Sequence, residues 1–446
     1  MRSARLGAAA LVAIALAVFA QAARFPLTCW DDRLHLGTPL SLLTRPLGYP
    51  IPLTVASYAL LGRSALAAHA WNVALHLVVA LLVLALSFDL WRDRRAIWPA
   101  LLFAAHPLVA EPVAWATGRK DLLAAALVLS AVLLHVRRRR PLVTTILYAL
   151  ALACKPSALP LPAILWAYDR LLAPERKSGW LFALAPLAMV DLLLAASGDR
   201  ALGGIRAASL PFWEHVPLAA ALEAAHLFAP VDLLPRYMPR TVPAPRLAIA
   251  LGLVVLAALV SAPLLLRRRA KVAAFAIAYA GLAYLPAADL LHRTRFVADS
   301  YLYLPLTGLC LLFGSRRIPR WAPPVLLALY LPLCFFQVRT WRSNVTLFAP
   351  VAAAYPDSPT AWKQLGDSYM CDGDPARAVP IYESVEARFP GNTVACGNLG
   401  LAYARLGRRR DAVRAWERGA QGGDPKAAAQ LARVAERRGS VLDPRR

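Results

Sequence analysis

Apolar and polar positions alternate along this chain in long blocks, and the blocks come before any single residue. Leu6 to Ala23 carry no charge, and similar runs, each closed by arginine, proline or a brief polar loop, follow one another as far as about residue 340. A helix crossing the hydrocarbon layer needs about 20 apolar residues. Candidate spans lie near 6–24, 65–88, 96–113, 121–136, 141–153, 157–172, 179–196, 247–266, 272–288, 301–315 and 321–338, about eleven in all, with 141–153 notably short. Residues 197–246 form a long connecting segment holding one weaker apolar helix, VPLAAALEAAHLFAPV, bounded by Pro217 and Pro230 and expected to lie in the interface or re-enter.

Beyond residue 340 the pattern changes to that of a water-facing helical domain with an internal repeat. Trp362-x2-Leu365-Gly366-x2-Tyr369 recurs as Cys396-x2-Leu399-Gly400-x2-Tyr403, an offset of 34 residues. Ala378 and Tyr382 recur at that offset as Ala412 and Trp416, while Pro356 and Pro390 each close the preceding unit. Small residues where two helices cross, with large ones between pairs, predict stacked helix-turn-helix units, and the period resembles that of tetratricopeptide repeats. A degenerate third unit from Asp424 through Leu431 would cover the open apolar end. The expected architecture is all-α: a polytopic membrane bundle over 1–340 and a short tetratricopeptide α-solenoid over 341–446.

Composition agrees with the blocks. The 446 residues are 59% hydrophobic and 17% charged, with mean hydropathy +0.50, well to the apolar side of soluble domains. A net charge of +24 would suit a nucleic-acid binder, but the arginines fall in short clusters between apolar runs: Arg92, Arg94 and Arg95; Arg137 to Arg140; Arg267 to Lys271; and Arg316, Arg317 and Arg320. That is the layout of cytoplasmic loops under the positive-inside rule, and no nucleic-acid partner is expected. With Arg2 and Arg5 inside, odd spans run outward, every basic cluster falls on the cytoplasmic side, and the repeats lie outside. The location implied is the cytoplasmic membrane. The first apolar run also fits a cleaved leader, since Arg2 and Arg5 precede a stretch ending in Ala20-Gln21-Ala22. The six cysteines show neither CxxC pairing nor zinc-ligand spacing.

Candidate chemistry gathers on the outer side of that topology. Trp30-Asp31-Asp32 follows the first span, and adjacent side chains diverge, so one acid can face a reacting centre while the other organises the loop. The same acids also suit a helix cap, with Trp30 as an interfacial anchor. Glu111, Arg119, Lys120 and Asp121 stand where the third span ends; ionisable groups at membrane depth are functional candidates, although Arg119 and Lys120 also suit snorkelling. His69, Asn72 and His76 share one face of the second span and read as interhelical hydrogen-bonding groups. Lys155 precedes a proline-rich bend and fits either snorkelling or phosphate contact. Arg293, Arg295, Asp299, Tyr301 and Tyr303 enter the tenth span; such tyrosines are ordinarily interfacial, whereas an outward arginine pair departs from the positive-inside trend and suits a phosphate.

The order of these features resembles a known family: WDD in the first outer loop, HxxNxxxH on the next span, HPLxxExVAWxxGRKDLL, lysine-proline after the fifth span, DxYLYLP before the tenth, and repeats at the end. It is similar to the transmembrane and tetratricopeptide-repeat O-mannosyltransferases and their bacterial relatives, within the GT-C glycosyltransferase superfamily. The resemblance implies transfer of a mannose-like sugar from a polyprenyl-phosphate carrier to a protein Ser/Thr or other hydroxyl on the outer face. It implies Asp31 as general base, with Asp32 beside it as possible substitute. It implies a donor-phosphate or substrate set drawn from Glu111, Arg119, Lys120, Asp121, Lys155, Arg293, Arg295, Asp299 and Tyr301. Relatives often carry arginine where Ser300 stands, which leaves Arg293 or Arg295 to supply that contact. The scheme calls for no metal or cofactor; its partners are the lipid-linked donor, membrane lipid and a protein acceptor at the repeats.

Two other readings use the same residues. In one, the chain is a membrane-anchored scaffold whose repeats recruit partners. In the other, it transports lipid-linked sugars, although secondary transporters place their charged sites near the bilayer midplane, and here they gather at one face.

Overall fold

Proline and the apolar runs between them dictate the helices of the computed structural model, which describes residues 2–36, 51–137, 140–201, 210–238, 244–288 and 295–441. Among these residues there is no strand, and the chain is all-helical. It divides into two compact units, Met1–Arg342 and Ser343–Arg446.

Among the described residues of the first unit, four helices are long and apolar enough to cross a membrane: Ser3–Arg24, Ala65–Trp91, Pro245–Leu266 and Ala322–Arg342. The pair Arg94–Ala105 and Pro107–Ala114, bent by 51°, makes a fifth if it counts as one span. Helix length alone therefore gives four or five crossings, against about eleven apolar runs in the sequence. Proline accounts for much of the difference, because it lacks an N–H and pushes the preceding residue out of the helical region. Pro156 follows the helix Pro141–Leu152, and Pro286 follows Lys271–Tyr284. The run 301–315 is likewise divided, with α-helix only over Tyr303–Cys310.

Ala65–Trp91 is the central strut, packed against Trp98–Ala105 and Arg119–Arg137, while Lys271–Tyr284 lies between Leu161–Leu172 and Tyr303–Cys310. The aromatic ring of His76 meets Phe19 and Phe103 edge-on or tilted, and its Nδ1 lies 2.8 Å from the Tyr303 hydroxyl. Tyr303, expected at the interface, is instead buried in this core because His76 satisfies its hydroxyl. Pro217, expected to bound its helix, sits inside Phe212–Phe228. The i→i−4 ladder has already begun at His215, which donates to the carbonyl of Pro211, so the N–H missing at Pro217 leaves the carbonyl of Trp213 without its donor in the ladder.

In the second unit, paired helices Pro359–Cys371 with Pro375–Arg388 and Cys396–Arg405 with Arg409–Gln421 repeat one geometry. A Cβ on Gly366 would meet the Tyr382 ring at 2.4 Å, and one on Gly400 would meet the Trp416 indole at 2.2 Å. Both glycines thus let an aromatic of the second helix lie directly on the first. Leu365, Leu399 and Tyr403 are buried, with Trp362 and Tyr369 packed on the same core. Pro425–Val441 packs on the last pair, and Asn344–Ala354, which the repeat pattern does not reveal, packs ahead of the first.

Candidate active site

A broken helix builds the site. His106 takes an extended backbone (ψ 131°) before Pro107, the chain turns, and Glu111 is carried into the bundle, 2% exposed. The chain extends again at Trp115 before the helix Arg119–Arg137 begins. Gly118 is needed here, since a Cβ would lie 2.5 Å from the carbonyl oxygen of Pro112. Asn72 of the central strut pins this turn: its Nδ2 donates to the carbonyls of Trp115 (2.8 Å) and Ala116 (3.3 Å), and its Oδ1 accepts from Arg119 Nε (3.2 Å). Tyr58 donates to the carbonyl of Thr117 at 2.6 Å.

The first loop hooks onto the same turn through Asp32. Its fully buried carboxylate accepts from the backbone N–H and hydroxyl of Thr28 (both 2.9 Å) and from the backbone N–H and hydroxyl of Thr117 (both 3.0 Å). Burial pushes this carboxyl above its ordinary range, against the opposing pull of those four bonds. Asp31 differs. It is half-buried at the start of the short helix Asp32–His35, and its side chain makes no capping bond. Asp31 and Lys120 both lie close enough to His35 to bias its charge, in opposite directions, while burial lowers the imidazole pKa.

Hooking the loop lays Trp30 on Trp115, with centroids 5.1 Å apart and planes 18° apart, and Trp341 stacks on Trp115 at 5.9 Å. The Arg295 guanidinium lies 5.1 Å from the Trp30 ring, 5.4 Å from Trp115 and 5.7 Å from Tyr301. It donates to Glu111 at 2.7 Å, to the Ser300 hydroxyl at 3.1 Å and to the carbonyl of Pro235 at 3.2 Å. Burial would lower the pKa of Arg295, but Glu111, Tyr301 and Asp121 together outweigh it and hold the guanidinium more firmly charged. Next to it, Lys155 pairs with Asp121 and lies over the Tyr301 ring at 5.5 Å, and Lys120 covers Trp115 at 4.7 Å. Asp299 accepts from the Tyr237 hydroxyl at 2.9 Å; burial, then the negative charge of Glu111, pushes its carboxyl well above the ordinary range.

Most of the residues singled out from sequence therefore meet in one aromatic and charged cluster: Glu111, Lys120, Asp121, Lys155, Arg295, Asp299 and Tyr301, with the Asp31–Asp32 loop tied to its edge. Arg119 does not face it. Its guanidinium is buried, donates to Asn72, Ser57 and Ala68, and lies over Tyr58, so it locks the turn. Arg293 lies outside the described residues. Several contributors were missed: Thr28 and Thr117, Trp341, Tyr237 and Arg236. The Arg236 charge is close enough to Arg295 for the two to oppose each other, and burial followed by that repulsion lowers its pKa. A Pro-Arg-Tyr string in a long connecting loop offers no periodic signal, though cations on the outer side were the cue that found Arg295.

Chemically, the cluster offers a half-buried carboxylate beside a stacked indole pair, with two mutually repelling guanidinium groups and an ammonium close by. The Glu111 Oε2 and Asp121 Oδ2 atoms and the Trp115 indole N–H are buried without a hydrogen-bond partner. Aromatic faces suit apolar sugar faces, and clustered cations suit a phosphate.

Two curated relatives match. Protein O-mannosyl-transferase TMTC3 of Mus musculus is 24% identical over 443 residues, covering 84% of this chain and 48% of the relative. The human protein of the same name is 23% identical over 458 residues, with the same two coverages. The chain thus spans about half the length of the curated relatives it matches. No family profile matches it, and no solved structure matches it. With its apolar helices, this distant similarity marks the chain as an integral membrane protein.

Proposed function

We propose that the chain is a GT-C-type glycosyltransferase that moves a mannose-like sugar from a polyprenyl-phosphate carrier to a protein Ser/Thr or similar hydroxyl on the extracytoplasmic face. In this reading the first unit is an eleven-span catalytic domain, with short and broken helices completing the crossings. The second is an extracytoplasmic tetratricopeptide-repeat array, built on Trp362, Leu365, Gly366, Tyr369, Leu399, Gly400 and Tyr403, that presents a protein acceptor.

Arg295 carries the reading. Its guanidinium rests on the ring of Trp30, the residue next to Asp31, so a base and a phosphate-binding cation flank one aromatic surface. The acceptor hydroxyl gives its proton to Asp31 while its oxygen bonds to the sugar's anomeric carbon. The bond from that carbon to the phosphate oxygen breaks, and polyprenyl phosphate leaves with the electron pair. The charge developing on the phosphate calls for preorganised cations, a role that suits Arg295, Arg236 and Lys155. General-base help to the hydroxyl is worth about 10²- to 10⁴-fold. Asp32 holds the loop, and Glu111, Asp121, Asp299 and Tyr301 orient the cations and line the sugar site.

The test is transfer of labelled mannose from polyprenyl-phosphate mannose to a threonine peptide by membranes holding the full chain. Transfer that disappears in Asp31→Asn while the melting temperature holds supports the reading, and the Asp31→Asn, Asp32→Asn double variant is its counter-test. Full transfer by that variant removes it and puts the scaffold reading ahead.

A further inference from the structure

The end of Ala65–Trp91 away from the candidate site is basic and recessed. Trp91 lies 19 residues beyond Asn72, about 28 Å along the helix, close to the hydrocarbon thickness of about 30 Å. Around it Arg269, Lys271, Gly314, Arg316 and Arg317 line a cavity of about 400 Å³.

The walls of this cavity are built. The Trp91 indole donates to the carbonyl of Leu311 at 2.8 Å, and Gly314 lies flat against it, where a Cβ would meet the ring at 2.2 Å. Arg317 donates to the carbonyl of Arg269 at 3.2 Å, and Arg95 donates to the carbonyls of Ser315 (3.1 Å) and Ile318 (2.9 Å), so three basic loops are tied together. Asp93 is the one carboxylate in the lining, and Arg316 already holds it at 2.7 Å. Three further cations, Arg269, Lys271 and Arg317, share the remaining space. Loops that merely set membrane orientation need positive charge, but they need no cavity.

The neighbouring surface is apolar. Leu264 and Leu265, at the end of Pro245–Leu266 and directly before the basic loop, are 60% and 76% exposed. A cationic recess at the end of a crossing helix, with exposed leucines five and four residues before its Arg269, matches a ligand with an anionic phosphate head and acyl chains. We propose that this cavity binds the headgroup of an anionic phospholipid in the leaflet opposite the candidate active site. Arg269 and Arg317 grip the phosphodiester, Lys271 adds charge, and the acyl chains lie along Leu264 and Leu265.

Full-length protein in a neutral detergent, titrated with dioleoylphosphatidylglycerol, dioleoylphosphatidylcholine or inorganic phosphate and read by native mass spectrometry, tests this. The unaltered chain should bind the glycerol lipid about ten-fold more tightly than the choline lipid, as expected for basic pockets facing anionic headgroups. The Arg269→Gln, Lys271→Gln, Arg317→Gln variant should lose that preference, while Arg137→Gln, Arg140→Gln, Arg170→Gln, with the same charge change elsewhere, should keep it. Equal binding of the two lipids to the unaltered chain overturns the proposal without any variant. Equal loss in both triple variants reduces the preference to bulk charge and also overturns it. Displacement of the lipid by millimolar inorganic phosphate would assign the cavity to a free anion instead.

Discussion

Asp31 and Asp32 are neighbours with opposite prospects on substitution. All four bonds to Asp32 come from donors, so an asparagine amide would point its own N–H groups at either the Thr28 or the Thr117 pair. Leaving buried donors unsatisfied costs about 1–3 kcal/mol, and Asp32→Asn should lower the melting temperature in detergent and slow transfer together. Asp31→Asn should leave melting almost unchanged, because that half-buried side chain supports no cap, yet cut kcat by about 10²-fold or more. Melting that falls with Asp31 and holds with Asp32 would reverse the assignment. Arg295→Ala should raise the donor KM and lower kcat together, since in the proposed reaction the guanidinium meets a phosphate that is charged before transfer and gains charge during it; an unchanged kcat/KM would remove it from phosphate binding. The sequence shows that two adjacent acids diverge, but not which one turns inward. That choice is made by Thr28, four residues before Asp32, together with Thr117, 85 residues away, and only the first of these is local to WDD. The same is true of Ser300, where a missing arginine was visible but the Arg295 contact was not.

At the scale of elements, glycines at backbone contacts are the sharpest test of the turns and pairs. Gly118→Ala drives a Cβ into the Pro112 carbonyl, a backbone atom that cannot swing aside. Overpacking of this kind costs about 1–3 kcal/mol. It should also loosen the Trp30–Trp115 stack, seen as a changed tryptophan fluorescence and reduced transfer; an unchanged spectrum would mean the turn is not held by that contact. Gly366→Leu should speed amide hydrogen exchange across 359–388 in the full chain while leaving the helix Ala65–Trp91 protected, because Tyr382 has no room to move. Equal protection would refute the pairing. The 34-residue spacing made these pairs readable from sequence, since glycine and aromatic recur together. The helix Asn344–Ala354 escaped because its apolar run follows the last span closely and lacks the repeat's glycine. Its signal was Ser343, whose hydroxyl and Thr346 form a reciprocal cap.

For the whole molecule, sidedness need not rest on counting crossings, which hydropathy reads as about eleven and helix length as four or five. The basic clusters meet in space. Arg316 pairs with Asp93, Arg95 donates to the loop that holds Ser315, and Arg317 donates to Arg269, so loops more than 200 residues apart share one end of the bundle. The candidate site lies at the other end of Ala65–Trp91, with Asn72 and the Trp115 turn. Ala322–Arg342 begins just past Arg320 at the basic end, and Trp341 stacks on Trp115 at the site end. The proposed topology puts the basic end in the cytoplasm, as the positive-inside rule has it, and the chain then leaves the first unit on the extracytoplasmic face whatever the number of short helices between. Phosphatase or fluorescent-protein fusions at Arg140, Arg268 and Gly439 should report cytoplasm, cytoplasm and exterior. A cytoplasmic signal at Gly439 would separate the repeats from the face of Asp31 and remove any role for them in presenting an acceptor there.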